Sequence, residues 1–329
     1  PQGVGHRIET NAYPCGLALA ATWNEKLAYE YGQSLGRDCR ARGIHIILGP
    51  AVNIHRAPMC GRNFEYMGED PYLTARTTVG YIKGVQSQKV MATVKHFLAN
   101  NSDYDRARIS NDIDERTAHE IYFPAFKAAV QEAEVGAVMT SYNLVNGIYT
   151  NENPWLLKDV LRKTWGFNGM VVSDWSAAQY SIPTCNAGMD LEMPGAEKNK
   201  PQEIAYYLRT GYVTMDTINE RIRHILRVII GFGFLDAQQQ DKNIPLDNPA
   251  SVETALKVAN EAIVLLKNEK NILPVNPKKY KKIAVVGKNA NGYVYGGGSG
   301  SVNPFSYVSA FEGIRKAAEK YGIKAEYVD

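Results

Sequence analysis

The chain has 329 residues, 45% of them hydrophobic and 22% charged, with a formal net charge of +3. These are ordinary values for a globular protein long enough for more than one domain, and without a basic block they argue against a nucleic-acid partner. No apolar run approaches the ~20 residues a membrane helix needs, and Cys15, Cys39, Cys60 and Cys185 have neither C-x-x-C spacing nor a companion histidine cluster, which argues against a zinc site.

In chain order, the pattern predicts a helix near 24–41 and a strand in IHIILGP, 44–50. A helix near 71–88 follows, with Pro71 at its first position and Glu69 and Asp70 just ahead, where acids favour a helix N-terminus. MATVKHF (91–97) is the next strand, and Asp114 is a plausible cap for a helix over 115–133. GAVMTSYN (136–143) leads to a helix near 154–164, entered through Asn153 and Pro154. GMVVSDW (169–175) and, more weakly, AGMDLEM (187–193) complete the series of strands. Strands alternating with helices at this spacing are βαβ units, and their almost wholly apolar sequences fit a parallel sheet covered on both faces.

Polar residues stand at the C-terminal ends of several strands: Lys95 and His96, Tyr142 and Asn143, and Asp174. In a (β/α)8 barrel those ends converge on one site, whereas an open doubly wound sheet more often gathers ligand groups at a single switch point. The expectation is an α/β chain with an incomplete (β/α)8 TIM-type barrel over 1–235, its first strands lying before Pro1. Helices near 201–210 and 215–232 close this unit, and the polar stretch 236–249 (DAQQQDKNIPLDNP) is the expected linker. A second α/β unit over 250–329 opens with a helix near 251–267, continues through KKIAVVG (281–287) and a helix near 307–321, and stops incomplete. The chain opens abruptly at Pro1 and stops at Asp329 after what looks like a strand, so both ends look cut.

Four clusters can carry chemistry. Asp174 ends an apolar strand beside Trp175; a carboxylate there suits attack at an anomeric carbon through a cationic transition state, and it equally suits the cap of a following helix. Lys95 and His96, with Arg106 ten residues beyond His96, supply hydrogen-bond donors for sugar hydroxyls, or are a solvated charge and a core histidine. Arg62 in GRNFE can bind hydroxyls or pair with a nearby acid, while Glu69 and Asp70 are assigned to structure. Met139 and Tyr142 lie near a strand end, where Tyr142 can reach the Asp174 carboxylate or serve as a core tyrosine. The run GGGSG (296–300) fails both G-x-G-x-x-G and G-x-S-x-G, which argues against a dinucleotide site or a serine-hydrolase elbow and leaves a mobile or turn-forming loop.

Taken in order, GRNFEYMGEDPYL, KHFLANN, MTSYNLVNG, VVSDW and AGMDLEMPG resemble glycoside hydrolase family three, and LLKNEKNILPV and KKIAVVG look like the entry to that family's second domain, an α/β sandwich. The resemblance implies a retaining double displacement with Asp174 as nucleophile. Arg62, Lys95, His96, Arg106 and Tyr142 then hold the sugar in the first subsite, and Met139 and Trp175 line the same pocket. GRNFE is closer to the β-glucosidase members than to the xylosidase ones, so the expected substrate is a short oligosaccharide or aryl β-glucoside carrying a terminal non-reducing β-D-glucosyl residue. β-Xylosides, mixed specificity and a non-catalytic carbohydrate-binding role stand as alternatives.

No cofactor, metal, nucleic acid or membrane is expected; a homodimer stays open, and a periplasmic or extracellular location rests on the resemblance alone. Three departures stand out. The chain opens at the proline of the family's Asp-Gly-Pro motif, so that substrate-binding Asp is absent, and Gly5 replaces a usual Arg, for which His6 or Arg7 are the nearest substitutes. KHFLANN lacks the KHFPGHG pattern of the branch that carries its acid/base on a barrel loop, and the acid/base Glu that other members take from the second domain matches no residue up to Asp329.

Overall fold

The structure is a computed structural model that describes residues 2–5 and 8–329; His6 and Arg7 lie outside the described residues. Strands Ile46–Ile47, Met91–Phe97, Ala137–Thr140 and Met170–Val172 form one parallel sheet in that spatial order, and Leu191 adds a bridge to Val172. All five apolar segments expected to be strands take their places consecutively around an incomplete barrel, with the helices on its outer face.

Alternation along the strands divides the core in two. Met91, Ala137, Met139, Met170 and Val172 pack together on the inner face. Ala92, Val94, Val138 and Val171 join the larger cluster with the outer helices. All seven residues of Met91–Phe97 are buried, which is why that sequence shows no polar alternation.

The helix starts follow their caps. Asn24 Oδ1 accepts from the Leu27 amide at 3.0 Å, Asp70 Oδ1 from Leu73 at 2.6 Å and Asp114 Oδ1 from Thr117 at 2.9 Å. Asn153 accepts from the Leu156 amide at 3.2 Å ahead of the helix Trp155–Thr164. Asp70 is therefore structural, as its place before Pro71 implies. The expected helix over 115–133 is broken near Phe123 and Pro124, because proline supplies no amide hydrogen to the preceding turn.

Asp190 pins the base of the barrel. Its carboxylate accepts from Arg162 Nη2 and the Val171 amide, each at 2.7 Å, and lies 2.9 Å from His224 Nδ1. The strand Met170–Val172, the helix Trp155–Thr164 that precedes it and the helix Met215–Gly231 thus meet at one buried acid.

The stretch 236–249 is docked rather than free. Gln239 is buried, donating to the carbonyls of Ile44 and Lys89 and accepting from Arg40. The helix Pro249–Ala262, expected to open the second unit, packs on the barrel's helices through Thr254 and Ser34 at 3.0 Å and through Ser251 and Asp38 at 2.9 Å. It stops at Ala262, short of the expected Lys267, where the β-branched pair Ile263 and Val264 disfavours helix. Beyond it, strands Lys282–Val286 and Lys324–Val328 pair in parallel around the helix Ala310–Glu319, a single βαβ unit that begins an α/β sandwich domain. Glu9–Thr10 pairs with Asn303–Pro304 and ties the start of the chain to this unit.

The helices Glu25–Ala41 and Pro71–Gln86 approach through glycine. A Cβ on Gly84 would sit 2.1 Å from the Tyr29 carbonyl oxygen, and one on Gly32 would sit 2.2 Å from that of Tyr81. Helix propensity alone favours alanine over glycine. Here backbone contact reverses the sign, so Gly84→Ala is expected to destabilise by about 1–3 kcal/mol. Gly231→Ala meets open space and is expected to be neutral or stabilising. Denaturant midpoints of the two variants against the parent check this.

Candidate active site

The segment after Ile46–Ile47 runs on beside the next strand, with Val52 donating to the Lys95 carbonyl at 2.8 Å and Lys95 to that of Pro50 at 3.0 Å. This pairing brings the Arg62 loop over the end of Met91–Phe97, where Lys95 and His96 stand. Asp174 follows Met170–Val172 two strands away in the same sheet. A cavity of about 970 Å³ opens over these strand ends, lined in part by Arg62, Lys95, Arg106, Met139, Tyr142, Asp174 and Trp175. His96 is fully buried just behind it, its Nε2 lying 3.5 Å from Asp174 Oδ2.

Asp174 is largely buried. Its Oδ1 accepts from the Trp175 amide at 2.7 Å, and its Oδ2 has no hydrogen-bond partner among the described residues, with Arg62 Nη1 3.9 Å away. The next helix begins only at Ser181, so Asp174 does not cap it.

Glu65, which the sequence did not single out, holds the cations together. It accepts from Arg62 Nε and lies 3.9 Å from Lys95 Nζ. Burial would push its carboxyl up, but Lys95 and Arg62 outweigh that and hold it below the ordinary carboxylate range. Burial disfavours the Arg62 charge, yet Glu65 and Asp174 leave the guanidinium more firmly protonated than usual. Burial lowers Lys95, with Glu65 only partly compensating and Arg62 adding to the fall.

His96 is pushed well below the usual histidine range by burial first and then by Arg62, Lys95 and Arg106. Arg106 pairs with Asp103 at 2.8 Å and stacks over the Tyr142 ring, its Cζ 4.5 Å from the centroid. The Tyr142 hydroxyl donates to the Trp175 carbonyl at 3.0 Å and stands close enough to the Asp174 carboxylate, which it was expected to reach, to be acted on by it. Burial and the nearby Asp174 charge push it up to about 12. Met139 is buried beneath the site, and Trp175 stands 55% exposed at the rim.

The glycine-rich run also belongs to this cavity. Residues 296–302 line it, and the Phe64 ring fills the space a side chain at Gly296 would need, 2.2 Å from where its Cβ would lie. No phosphate-loop motif marks such a role, so pattern search alone could not find it.

Fold and pocket together define a TIM-type barrel with a carboxylate held among cations at the strand ends. Residues 1–228 match the N-terminal domain of glycosyl hydrolase family 3 and residues 263–328 match that family's C-terminal domain. The chain belongs to glycosyl hydrolase family 3. A β-glucosidase of Rhizobium radiobacter is 44% identical over 311 residues, 94% of this chain and 38% of the relative. Thermostable β-glucosidase B of Acetivibrio thermocellus is 39% identical, over 95% of this chain and 41% of the relative. Among solved structures, β-glucosidase 3B of Thermotoga neapolitana in complex with α-D-glucose superposes with a TM-score of 0.89 at 37% identity, covering 97% of this chain and 44% of its own. The chain therefore spans well under half the length of these relatives.

Two outcomes follow from the charge balance. Glu65→Gln leaves Arg62 and Lys95 buried without their shared counter-charge, and a loss of about 3 kcal/mol is expected in denaturant unfolding. Because the folded pKa of His96 lies below its unfolded value, its contribution to stability is full above the ordinary histidine value of about 6.5 and is lost as pH falls below it. A stability profile from pH 8 to about 5 is expected to decline, and His96→Gln is expected to flatten that decline.

Proposed function

We propose that this chain carries the first-subsite half of a retaining β-glycosidase acting on terminal non-reducing β-D-glucosyl residues of short glucosides, with Asp174 as nucleophile. The observation that carries the reading is the Asp174 carboxylate: buried at a strand end, facing a cavity of about 970 Å³, with one oxygen unpartnered among the described residues and cations beside it. A pure binding protein gains little from an ionised carboxylate in that position, whereas a cationic, oxocarbenium-like transition state gains electrostatic stabilisation and then a covalent bond.

In this reading Arg62, Lys95, His96 and Arg106 hold the sugar's hydroxyls. Tyr142 fixes the Trp175 backbone from below, Met139 floors the site, and the exposed Trp175 ring stacks on the sugar or its leaving group. The similar chains named as β-glucosidases support the choice of glucosides. Two other carboxylates on the cavity wall, Glu65 and Asp103, are each paired with an arginine, so neither is free to protonate a leaving group. The reading accordingly assigns the general acid to none of these residues, and it divides the chain into a catalytic barrel and a second domain around 236–249.

Covalent trapping tests it. A dinitrophenyl 2-deoxy-2-fluoro-β-glucoside has a leaving group that needs no acid, and a label mapped by mass spectrometry to the peptide containing Asp174 is the expected result. Asp174→Asn is expected to abolish labelling. A label on another residue, or none on the folded complete protein, would overturn the assignment.

A further inference from the structure

His96 has three hydrogen-bonding neighbours or near neighbours among the described residues, Asn53, Tyr66 and Asp174, and their donor and acceptor roles can be fixed one at a time. Its backbone amide donates to Asn53 Oδ1 at 2.9 Å, and its carbonyl accepts from Asn53 Nδ2 at 2.9 Å. These two bonds leave only one orientation for the buried Asn53 amide, since a flip would place donor against donor and acceptor against acceptor. The same Oδ1 lies 3.3 Å from His96 Nδ1. It is an acceptor with no proton to give, so Nδ1 must carry the hydrogen.

The other group near Nδ1 agrees. The Tyr66 hydroxyl, 3.4 Å away, donates to the Asn100 carbonyl at 3.2 Å and accepts from Asn100 Nδ2 at 3.1 Å. Its one proton is committed, and it too faces Nδ1 as an acceptor. A buried imidazole crowded by Arg62, Lys95 and Arg106 is neutral, so one nitrogen bears the proton and the other a lone pair. Nε2 then has the lone pair. It lies 3.5 Å from Asp174 Oδ2, and both atoms are buried without a hydrogen-bond partner among the described residues.

We propose that Asn53 is a positioning residue that locks His96 in the Nδ1–H tautomer, so that the imidazole turns a lone pair toward Asp174 and withholds a hydrogen bond from the attacking carboxylate. The proposal rests on Asp174 being the nucleophile. A hydrogen bond to a carboxylate stabilises it most while it bears full charge, and less in a transition state where that charge is being consumed, so withholding the bond keeps the barrier low. It also gives His96 the role of acceptor toward the pocket, the reverse of the donor role that Lys95 and His96 together suggest by residue type.

The lock is read by long-range proton–nitrogen correlation on the complete protein labelled with 15N-histidine, at neutral pH, with His96 assigned by the signal missing in His96→Gln. The expected spectrum shows a neutral ring protonated at Nδ1. In Asn53→Leu, which leaves that proton only the more distant Tyr66 hydroxyl, the ring is expected to move to the Nε2–H tautomer, and labelling by the fluoroglucoside is expected to slow about tenfold or more. An Nε2-protonated ring or an imidazolium in the unsubstituted protein would overturn the proposal, as would an Asn53→Leu spectrum that keeps Nδ1–H. If that variant does not fold, the unsubstituted spectrum alone decides whether the lock exists. Failure to label the unsubstituted protein would instead strike at the role of Asp174, and the tautomer would still be read from the spectrum.

Discussion

Everything in this site depends on one electrostatic constraint: charges taken out of water must be balanced within a few ångströms. Arg62 and Lys95 are both buried beside Asp174, and without Glu65 between them the cluster would hold two cations against one carboxylate. Glu65 neutralises the excess and does so from the loop that carries Arg62, three residues away, so the pairing is built into local sequence. Arg106 is balanced separately by Asp103, also three residues away. With those pairs formed, Asp174 is surrounded by cations that are already satisfied, and its Oδ2 is claimed by none of them at hydrogen-bond distance.

The barrel makes this arrangement possible because its strand ends converge. Lys95 and Asp174 lie on strands separated by Ala137–Thr140, and Arg62 reaches them from a loop that follows another strand. The inward residues beneath them, Met139 and Val172, are apolar and close-packed, which gives the polar groups above a firm floor. The same convergence explains why His96 stays neutral: a third buried cation in this space would have no carboxylate left to balance it.

Much of this was legible in the sequence because it rests on short-range rules. Short, almost wholly apolar runs give the five strands, and Asp70, Asp114 and Asn153 mark helix starts because capping is a contact between residues three apart. The residues at the strand ends gather where a barrel would gather them, and Lys95, Met139, Tyr142 and Asp174 share one cavity wall with Trp175 and with Arg62 and Arg106 from the loops. What was not legible depends on long-range contact. Glu65 looks like one acid among several in GRNFEYMGED, and only the fold shows Lys95 standing opposite it. The hydroxyl of Tyr142 donates to the backbone carbonyl of Trp175, a partner that no spacing encodes. The helix Pro249–Ala262 reads as the start of a new domain because a polar stretch precedes it, yet Ser251 and Thr254 are matched to Asp38 and Ser34 more than two hundred residues earlier.

The glycine-rich run shows how the two units share one site. Gly296 and Gly300 have no room for a Cβ because the Phe64 ring lies against them, and Phe64 sits between Arg62 and Glu65 in sequence. The loop that sets the charge balance is therefore braced by a segment of the second unit, and Glu9–Thr10 with Asn303–Pro304 fastens that unit to the start of the chain. A barrel of this kind would present its strand ends to open water if it stood alone. Glycine is the residue that lets a foreign backbone come close enough to an aromatic ring to cover them, which gives the run a packing role that no phosphate-binding motif needs to explain.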